Sequence, residues 1–231
     1  MSYPYPTRTP RIPLEAACER IAAFFDLDDQ ELHNYALQDD IGGYHHDPDQ
    51  RRINDNGELA KGIWGVEGQV IYALIRLLNP KHVLEVGNCW GTSSVHIGEA
   101  VLQNGTGKVT TLDLPVEERK RSKFKVPKPY QEIMTPVYED LRDFNYRKRP
   151  RLDFVFEDSS HTAELVSHVW REFLKWGAPG GFIVSHDSEH FRVGEGVHEG
   201  IQQVVEVGDY LSLAIAPADC GLAIWRKPDA S

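Results

Sequence analysis

The chain has 231 residues, 41% hydrophobic and 26% charged, with a formal net charge of -10. This is the composition of a soluble globular chain, long enough for one α/β domain with a sizeable core and too short for two ordinary domains with linkers. The acidic balance disfavours a protein that works by neutralising phosphates, so no nucleic-acid partner is expected. No apolar run approaches the ~20 residues of a bilayer span, so no membrane partner is expected either.

Met1 to Pro13 carries four prolines and no apolar stretch of signal type, so it reads as an extended arm. Cys18, Cys89 and Cys220 are odd in number and widely spaced, giving neither a disulfide framework nor a metal knuckle; a cytoplasmic location is the expectation. Leu14, Ala17, Cys18, Ile21, Phe24 and Phe25 fall at helical spacing. Asp26 to Gly62 is acidic and polar, with Gly42-Gly43, His45-His46 and Asn54-Asp55-Asn56-Gly57. It reads as a short helix and loops with too few apolar residues for a core of its own. The expected organisation is an arm and cap over residues 1–62 and a single domain over residues 63–231.

From Ile63 the pattern is regular. A helix through Val70, Ile71, Leu74, Ile75 and Leu78 stops at Asn79-Pro80. Strands are expected at His82–Val86, Lys108–Leu114, near Ile133–Tyr138, at Leu152–Phe156, and at Phe182–Ser185 after an Ala178-Pro179-Gly180-Gly181 turn. Helices are expected at Thr92–Leu102, over Leu165–Leu174 and over Val197–Val205. Tyr210–Ala216 and Leu222–Trp225 form a closing hairpin. Strands alternating with helices give a doubly wound α/β fold, with a mostly parallel sheet and one antiparallel strand near its edge.

The strongest chemical feature is Val83-Leu84-Glu85-Val86-Gly87-Asn88-Cys89-Trp90-Gly91-Thr92-Ser93. A buried strand enters a turn with two glycines, and a helix follows. Gly87 permits the sharp turn, Gly91 permits close backbone approach to a ligand, and free N–H groups near Thr92 and Ser93 suit an anion. The alternative is a tight turn with no ligand. A nicotinamide fingerprint needs glycine where this chain has Cys89, which argues against a dinucleotide.

The E-x-G-x-x-x-G-x-S pattern resembles motif I of class I S-adenosylmethionine-dependent methyltransferases. More narrowly, it is similar to the metal-dependent O-methyltransferases of the catechol and caffeoyl-CoA kind and their bacterial relatives acting on antibiotics and sugars. The resemblance runs from about Trp64 to Trp225. It implies a Rossmann-like methyltransferase fold and a cofactor-binding set of Glu67, Glu85, Gly87, Cys89, Gly91, Ser93, Asp113, Asp140 and Asp158. Within that set, Asp113 holds the ribose hydroxyls, Glu139-Asp140 meets the adenine, and Glu67-Gly68 touches the cofactor.

In Leu152-Asp153-Phe154-Val155-Phe156-Glu157-Asp158-Ser159-Ser160-His161, the resemblance makes Asp158 a divalent-metal ligand. It puts His161 where catechol-type enzymes carry a catalytic lysine. An imidazole suits a general base near neutral pH. Asp187 matches a second metal carboxylate. The third ligand departs from the pattern, which has asparagine at Ser188, and His186 is the alternative donor. The implied metal is magnesium or manganese, and imidazole ligation would favour manganese, iron or zinc. The expected reaction is methyl transfer to a hydroxyl of a small molecule, such as a diol, catechol, sugar or natural product.

The alternatives are a metal-free methyltransferase relying on His161 and His186, and a cofactor-binding protein without transfer. Trp64, Trp90 and Tyr44 could stack an aromatic acceptor or simply pack the core. His45-His46, His190, His198 and the basic run Arg119, Lys120, Arg121, Lys123, Lys125 and Lys128 are weaker candidates. The proline-rich arm has the length to reach a neighbouring subunit, which leaves a homodimer open.

Overall fold

The computed structural model describes residues 7–38, 40–41, 44–45, 63, 65–89, 91–115, 126–218 and 220–229. Trp64, Trp90, His46 and the basic run from Arg119 to Lys125 lie outside them, as do the side chains of Tyr44 and His45. Six helices are described: α1 (Leu14–Phe25), α2 (Asp29–Ala36), α3 (Gly65–Leu78), α4 (Thr92–Asn104), α5 (Ala163–Trp176) and α6 (Gly194–Gln202). The main sheet has seven strands: β1 (His82–Val86), β2 (Lys108–Asp113), β3 (Met134–Tyr138), β4 (Leu152–Glu157), β5 (Gly177–His186), β6 (Leu211–Leu213) and β7 (Leu222–Arg226). A separate two-stranded ladder pairs Asp40–Ile41 with Tyr44–His45.

The sheet order is β3-β2-β1-β4-β5-β7-β6. All pairs from β3 to β5 are parallel, and β7 alone runs against the rest, inserted between β5 and β6. The order reverses between β1 and its neighbours, so the crevice of this doubly wound sheet opens beyond the carboxyl end of β1.

Side chains alternate across the strands, as the pleat requires. Val83, Phe154, Phe156, Phe182 and Val184 face one core with α1 to α4. Leu84, Val86, Val155 and Ile183 face the other, with α5 and α6. Each large side chain in these layers contributes about 1.5–3 kcal/mol by leaving water. Helices α1 and α2 send Ile21, Phe25, Leu32 and Ala36 into the same core as α3, and among the described residues they have no core of their own. Helix α2 starts where the Asp28 carboxylate accepts the Glu31 N–H at 2.8 Å.

Two sequence expectations need adjustment. Residues 178–181 are not a turn ahead of the fifth strand: β5 begins at Gly177. Leu152 pairs with Gly177 and Phe154 with Phe182, so the extra residues bulge on the β4 side. On the other side Gly180 N–H donates to Lys227 O and Lys227 N–H to Gly181 O, which keeps this stretch in the ladder. The last hairpin is also shorter than expected. Ala214 O and Ala216 N–H leave it to bond Ile12 of the N-terminal arm. The arm thus lies along its own chain, with Arg8 N–H on Glu189 O and the Arg11 guanidinium on Ala218 O at 2.6 Å.

Candidate active site

The turn after β1 is built to a tight tolerance. Gly87 has φ +88°, and a Cβ there would lie 2.1 Å from the carbonyl oxygen of Asp158. The strand end of β1 is laced to those of β4 and β2 at this point, with Asp158 N–H on Val86 O and Gly87 N–H on Leu112 O, both at 2.8 Å. Glycine is therefore required by a neighbouring backbone as well as by the turn. Cys89, at the position where a dinucleotide site has its second glycine, holds φ +47°. Its N–H donates to Asp113 Oδ2 at 3.0 Å, and Asp113 Oδ1 accepts the Leu114 N–H at 2.8 Å. Gly91, at φ +83°, ends the turn as the cap of α4.

Glu85 is completely buried beneath the start of α4. Its two oxygens accept the hydroxyls of Ser93 and Ser94, each at 2.6 Å. Burial pushes its carboxyl up to about 7 against those two bonds, and the charges of Asp158 and Asp113 add to the rise. Asp140 sits beyond β3, next to Asp113 through the Glu139 N–H bond to Asp113 O. Its carboxylate is engaged by Arg142, whose hydrogen bonds hold it down at about 2.

The ends of β4 and β5 converge on a second cluster. Ligand atoms of Asp158, His161, His186 and Asp187 all lie within 4.8 Å of one another. His161 Nε2 is 3.0 Å from both Asp158 Oδ1 and Asp187 Oδ2. His186 Nδ1 is 3.2 Å from Asp158 Oδ1 and 3.6 Å from Asp187 Oδ2, and its Nε2 is 3.0 Å from Glu67 Oε2. Glu67, in the first turn of α3, is wholly buried, and its other oxygen accepts the Gly221 N–H at 2.6 Å.

Local backbone explains how these groups meet. His161 and Asp187 both adopt φ +59°, a left-handed conformation that costs roughly 1–2 kcal/mol for a residue with a side chain. The reversal at His161, one residue before the Thr162 cap of α5, folds its ring back onto Asp158. Gly196 of α6 lies against the same place, since a Cβ there would be 2.5 Å from His161 O. Such strain persists where the surroundings fix it, and it concentrates at functional sites.

The electrostatics follow from the pairing. Burial alone would lower the His161 imidazolium, but hydrogen bonds to Asp158 and Asp187 outweigh it and raise it to about 10. Burial likewise opposes the charged form of His186, and the charges of Asp187, Asp158 and Glu67 hold it well above its ordinary value. Burial favours the neutral acid of Asp187, yet His186 and His161 keep that carboxyl well below the usual range.

Ser188 is turned away from this cluster. It is fully buried, and its hydroxyl is 2.8 Å from that of Ser212, which donates to Glu189 Oε1 at 2.6 Å. His198 belongs to the same outlying network, with Nδ1 2.6 Å from the Tyr210 hydroxyl and Nε2 3.5 Å from Glu189. His190 pairs by backbone with Thr7 of the arm, and Lys128 is exposed. The contact of Glu67 with His186, the Ser94 bond to Glu85, and the burial of Cys220 beside His186 and Asp187 were not foreseen. Only Ser94 carried a signal, since it shares the first helical turn with Ser93.

Residues 84–188 match a family model described as a methyltransferase domain. No curated protein matches the chain by sequence. Several solved structures share its fold. A putative O-methyltransferase from Klebsiella pneumoniae is 15% identical, with a TM-score of 0.57 over 96% of this chain and 93% of that one. The O-methyltransferase TomG from Streptomyces achromogenes, involved in tomaymycin synthesis and solved with S-adenosylmethionine, is 15% identical, with a TM-score of 0.55 over 94% and 90%. The S-adenosylhomocysteine-bound methyltransferase PaMTH1 from Podospora anserina is 12% identical, with a TM-score of 0.54 over 96% and 100%. The family match begins inside β1 and ends just past the β5 carboxylate, so it spans the Gly87 turn and both acids of the cluster. The chain therefore has the fold of these methyltransferases, and its residues 84–188 are similar to a methyltransferase domain.

Proposed function

We propose that the protein transfers a methyl group from S-adenosylmethionine to a hydroxyl of a small molecule, with a divalent cation held by Asp158, Asp187 and His186. The observation that carries this reading is the convergence of two carboxylates and two imidazoles at the ends of β4 and β5, beside the glycine turn of β1. That donor set suits a cation: two acids at the ends of neighbouring strands bring one oxygen each to 3.0 Å from the same ring nitrogen. Residues 1–62 act in this reading as an arm and cap over the domain formed by residues 63–231.

The nucleoside half of the crevice belongs to the turn after β1. Asp113, an acceptor with two oxygens, suits the paired hydroxyls of a ribose. Glu85 and Ser93 fix the shape of the turn, Gly87, Cys89 and Gly91 line it with backbone, and Asp140 stands beyond β3. The methyl group of a sulfonium is already activated, so the protein must align acceptor oxygen, carbon and sulfur and remove one proton. His161 stands at the junction of both carboxylates and takes that proton at Nε2. A divalent cation would neutralise Asp158 and Asp187, which lets Nε2 give up the proton they hold there, and would acidify a hydroxyl placed beside it. Asp158 and Asp187 accept the N–H of the imidazolium that forms when Nε2 takes the proton. Positioning and electrostatics supply the rate, with no covalent intermediate on the protein.

The test is the full-length protein with S-adenosylmethionine and a panel of catechols, vicinal diols, sugars and phenols, read by mass spectrometry with and without a chelator. The expected result is S-adenosylhomocysteine together with a product heavier by one methylene, lost on chelation and restored by a divalent salt. Turnover that survives exhaustive chelation would favour a metal-free reaction on His161 and His186, a reading supported by the ion pairs these rings already make with both acids. Cofactor binding without any product would mark a binding protein.

A further inference from the structure

Carboxylates face both ring nitrogens of His186. The two sides are not equivalent. Glu67 is wholly buried and acceptor-only, with Oε1 taken by the Gly221 N–H at 2.6 Å and Oε2 set 3.0 Å from His186 Nε2. An ionised carboxylate there demands an N–H at Nε2. The remaining lone pair of a neutral imidazole then sits on Nδ1, aimed between Asp158 and Asp187. A lone pair facing two anionic oxygens is unfavourable unless a proton or a metal cation lies between them, so a second N–H takes that place until a cation displaces it. A carboxylate bonded to the far nitrogen is how metal-binding imidazoles are commonly oriented and made more basic.

We infer that Glu67 is a positioning residue that holds His186 with Nδ1 towards the Asp158–Asp187 cation, so that the site prefers a first-row transition cation to magnesium. The inference rests on the proposed reading of the pocket as a cation site and deepens it. An all-oxygen set suits magnesium, and a nitrogen donor shifts the preference towards later transition ions.

Glu67, His186 and Cys220 also lie within ligand reach of one another. That side is the poorer home for a cation. Both Glu67 oxygens already face N–H groups, and burial holds the Cys220 thiol in its protonated form despite its bond with His186. In Glu67→Gln the side-chain oxygen would accept the Gly221 N–H while the NH2 faces Nε2, which favours the tautomer with its N–H at Nδ1 and takes that nitrogen's lone pair from a cation.

The test is calorimetric titration of the chelator-stripped, full-length protein with cobalt(II) and, separately, magnesium. The visible bands of cobalt serve as a second readout of nitrogen ligation. In the wild type cobalt should bind at least about tenfold more tightly than magnesium. In Glu67→Gln cobalt affinity should fall about 10–100-fold while magnesium changes little, and the cobalt bands should shift. Cys220→Ser should leave the preference intact.

Equal affinities in the wild type, or an unchanged cobalt-to-magnesium ratio in a Glu67→Gln protein that melts cooperatively, would overturn the inference. A merely structural Glu67 would lower both affinities together and leave their ratio alone. S-adenosylhomocysteine binding is measured in parallel. Its presence with no cation bound would defeat this inference and leave methyl transfer standing. Its absence with the cobalt preference intact would defeat the proposed function and leave this inference standing.

Discussion

The two halves of the strand-end crevice use acidic side chains in opposite ways. In the turn after β1, Glu85 and Asp113 accept hydrogen bonds from neutral donors: two serine hydroxyls for one, the Cys89 and Leu114 amides for the other. In the pocket after β4 and β5, Asp158, Asp187 and Glu67 face imidazoles. The first half therefore fixes a shape, and its one deeply buried acid is pushed towards neutrality by burial. The second half is electrically loaded, and its members shift one another strongly in opposite directions. In the proposed reading, a ligand read by shape belongs to the first half, and chemistry that moves charge belongs to the second.

The sharpest way to break this division is His161→Ala. It removes a proton acceptor from the loaded half and leaves the turn after β1 untouched. Turnover should fall about 10²–10⁴-fold, while S-adenosylhomocysteine affinity by calorimetry stays within about twofold. Equal losses in turnover and affinity would show that the two halves are one structural unit and that His161 only supports it.

Gly87→Ala attacks the seam between the halves. A methyl group there would collide with the Asp158 carbonyl, and a backbone at φ +88° is unfavourable for alanine. The expected cost is on the order of 2–4 kcal/mol in urea unfolding, combining local strain with displaced backbone. If the protein folds, both cofactor and cation affinity should drop, because the turn and Asp158 move together. A variant of wild-type stability would mean that the strand ends are not laced as described.

The two halves were not equally legible in the sequence. The turn after β1 is local: strand, glycines and helix start follow within a dozen residues, and periodicity alone delimits them. The carboxylates of the pocket were readable too, because each ends an apolar strand, and strand ends of one parallel sheet share an edge. What orients them was hidden. Glu67 and His186 are 119 residues apart and meet only because the first turn of α3 lies at the end of β5, which no spacing encodes. The left-handed turns at His161 and Asp187 were hidden as well, since neither residue is a glycine that would announce one. The start of β5 was misread for a related reason: Pro179-Gly180-Gly181 has turn chemistry, but Lys227 gives its backbone a partner.

The mildest perturbation, Glu85→Gln, asks whether the first half really holds an acid near neutrality. The Glu85 carboxyl sits at about 7 in the folded chain because burial disfavours its charge. In the unfolded chain it returns to about 4.3. Between these values the folded state binds more protons than the unfolded state. The Glu85 contribution to stability is thus most favourable below about pH 4.3, declines as pH rises towards 7, and levels off above that. Glutamine keeps the shape, stays neutral at every pH, and still bonds Ser93 and Ser94, whose hydroxyls can donate or accept. Wild type and Glu85→Gln should therefore melt within about a degree or two of each other at about pH 4, and the variant should melt higher at pH 8. The gap should be about 2–4 °C for each kcal/mol of charge burial relieved. Comparing the two proteins at each pH cancels the titration of His161, His186 and Asp187, which both share. Parallel melting curves from about pH 4 to 8 would mean that Glu85 keeps an ordinary acidity, and that the first half carries charge after all.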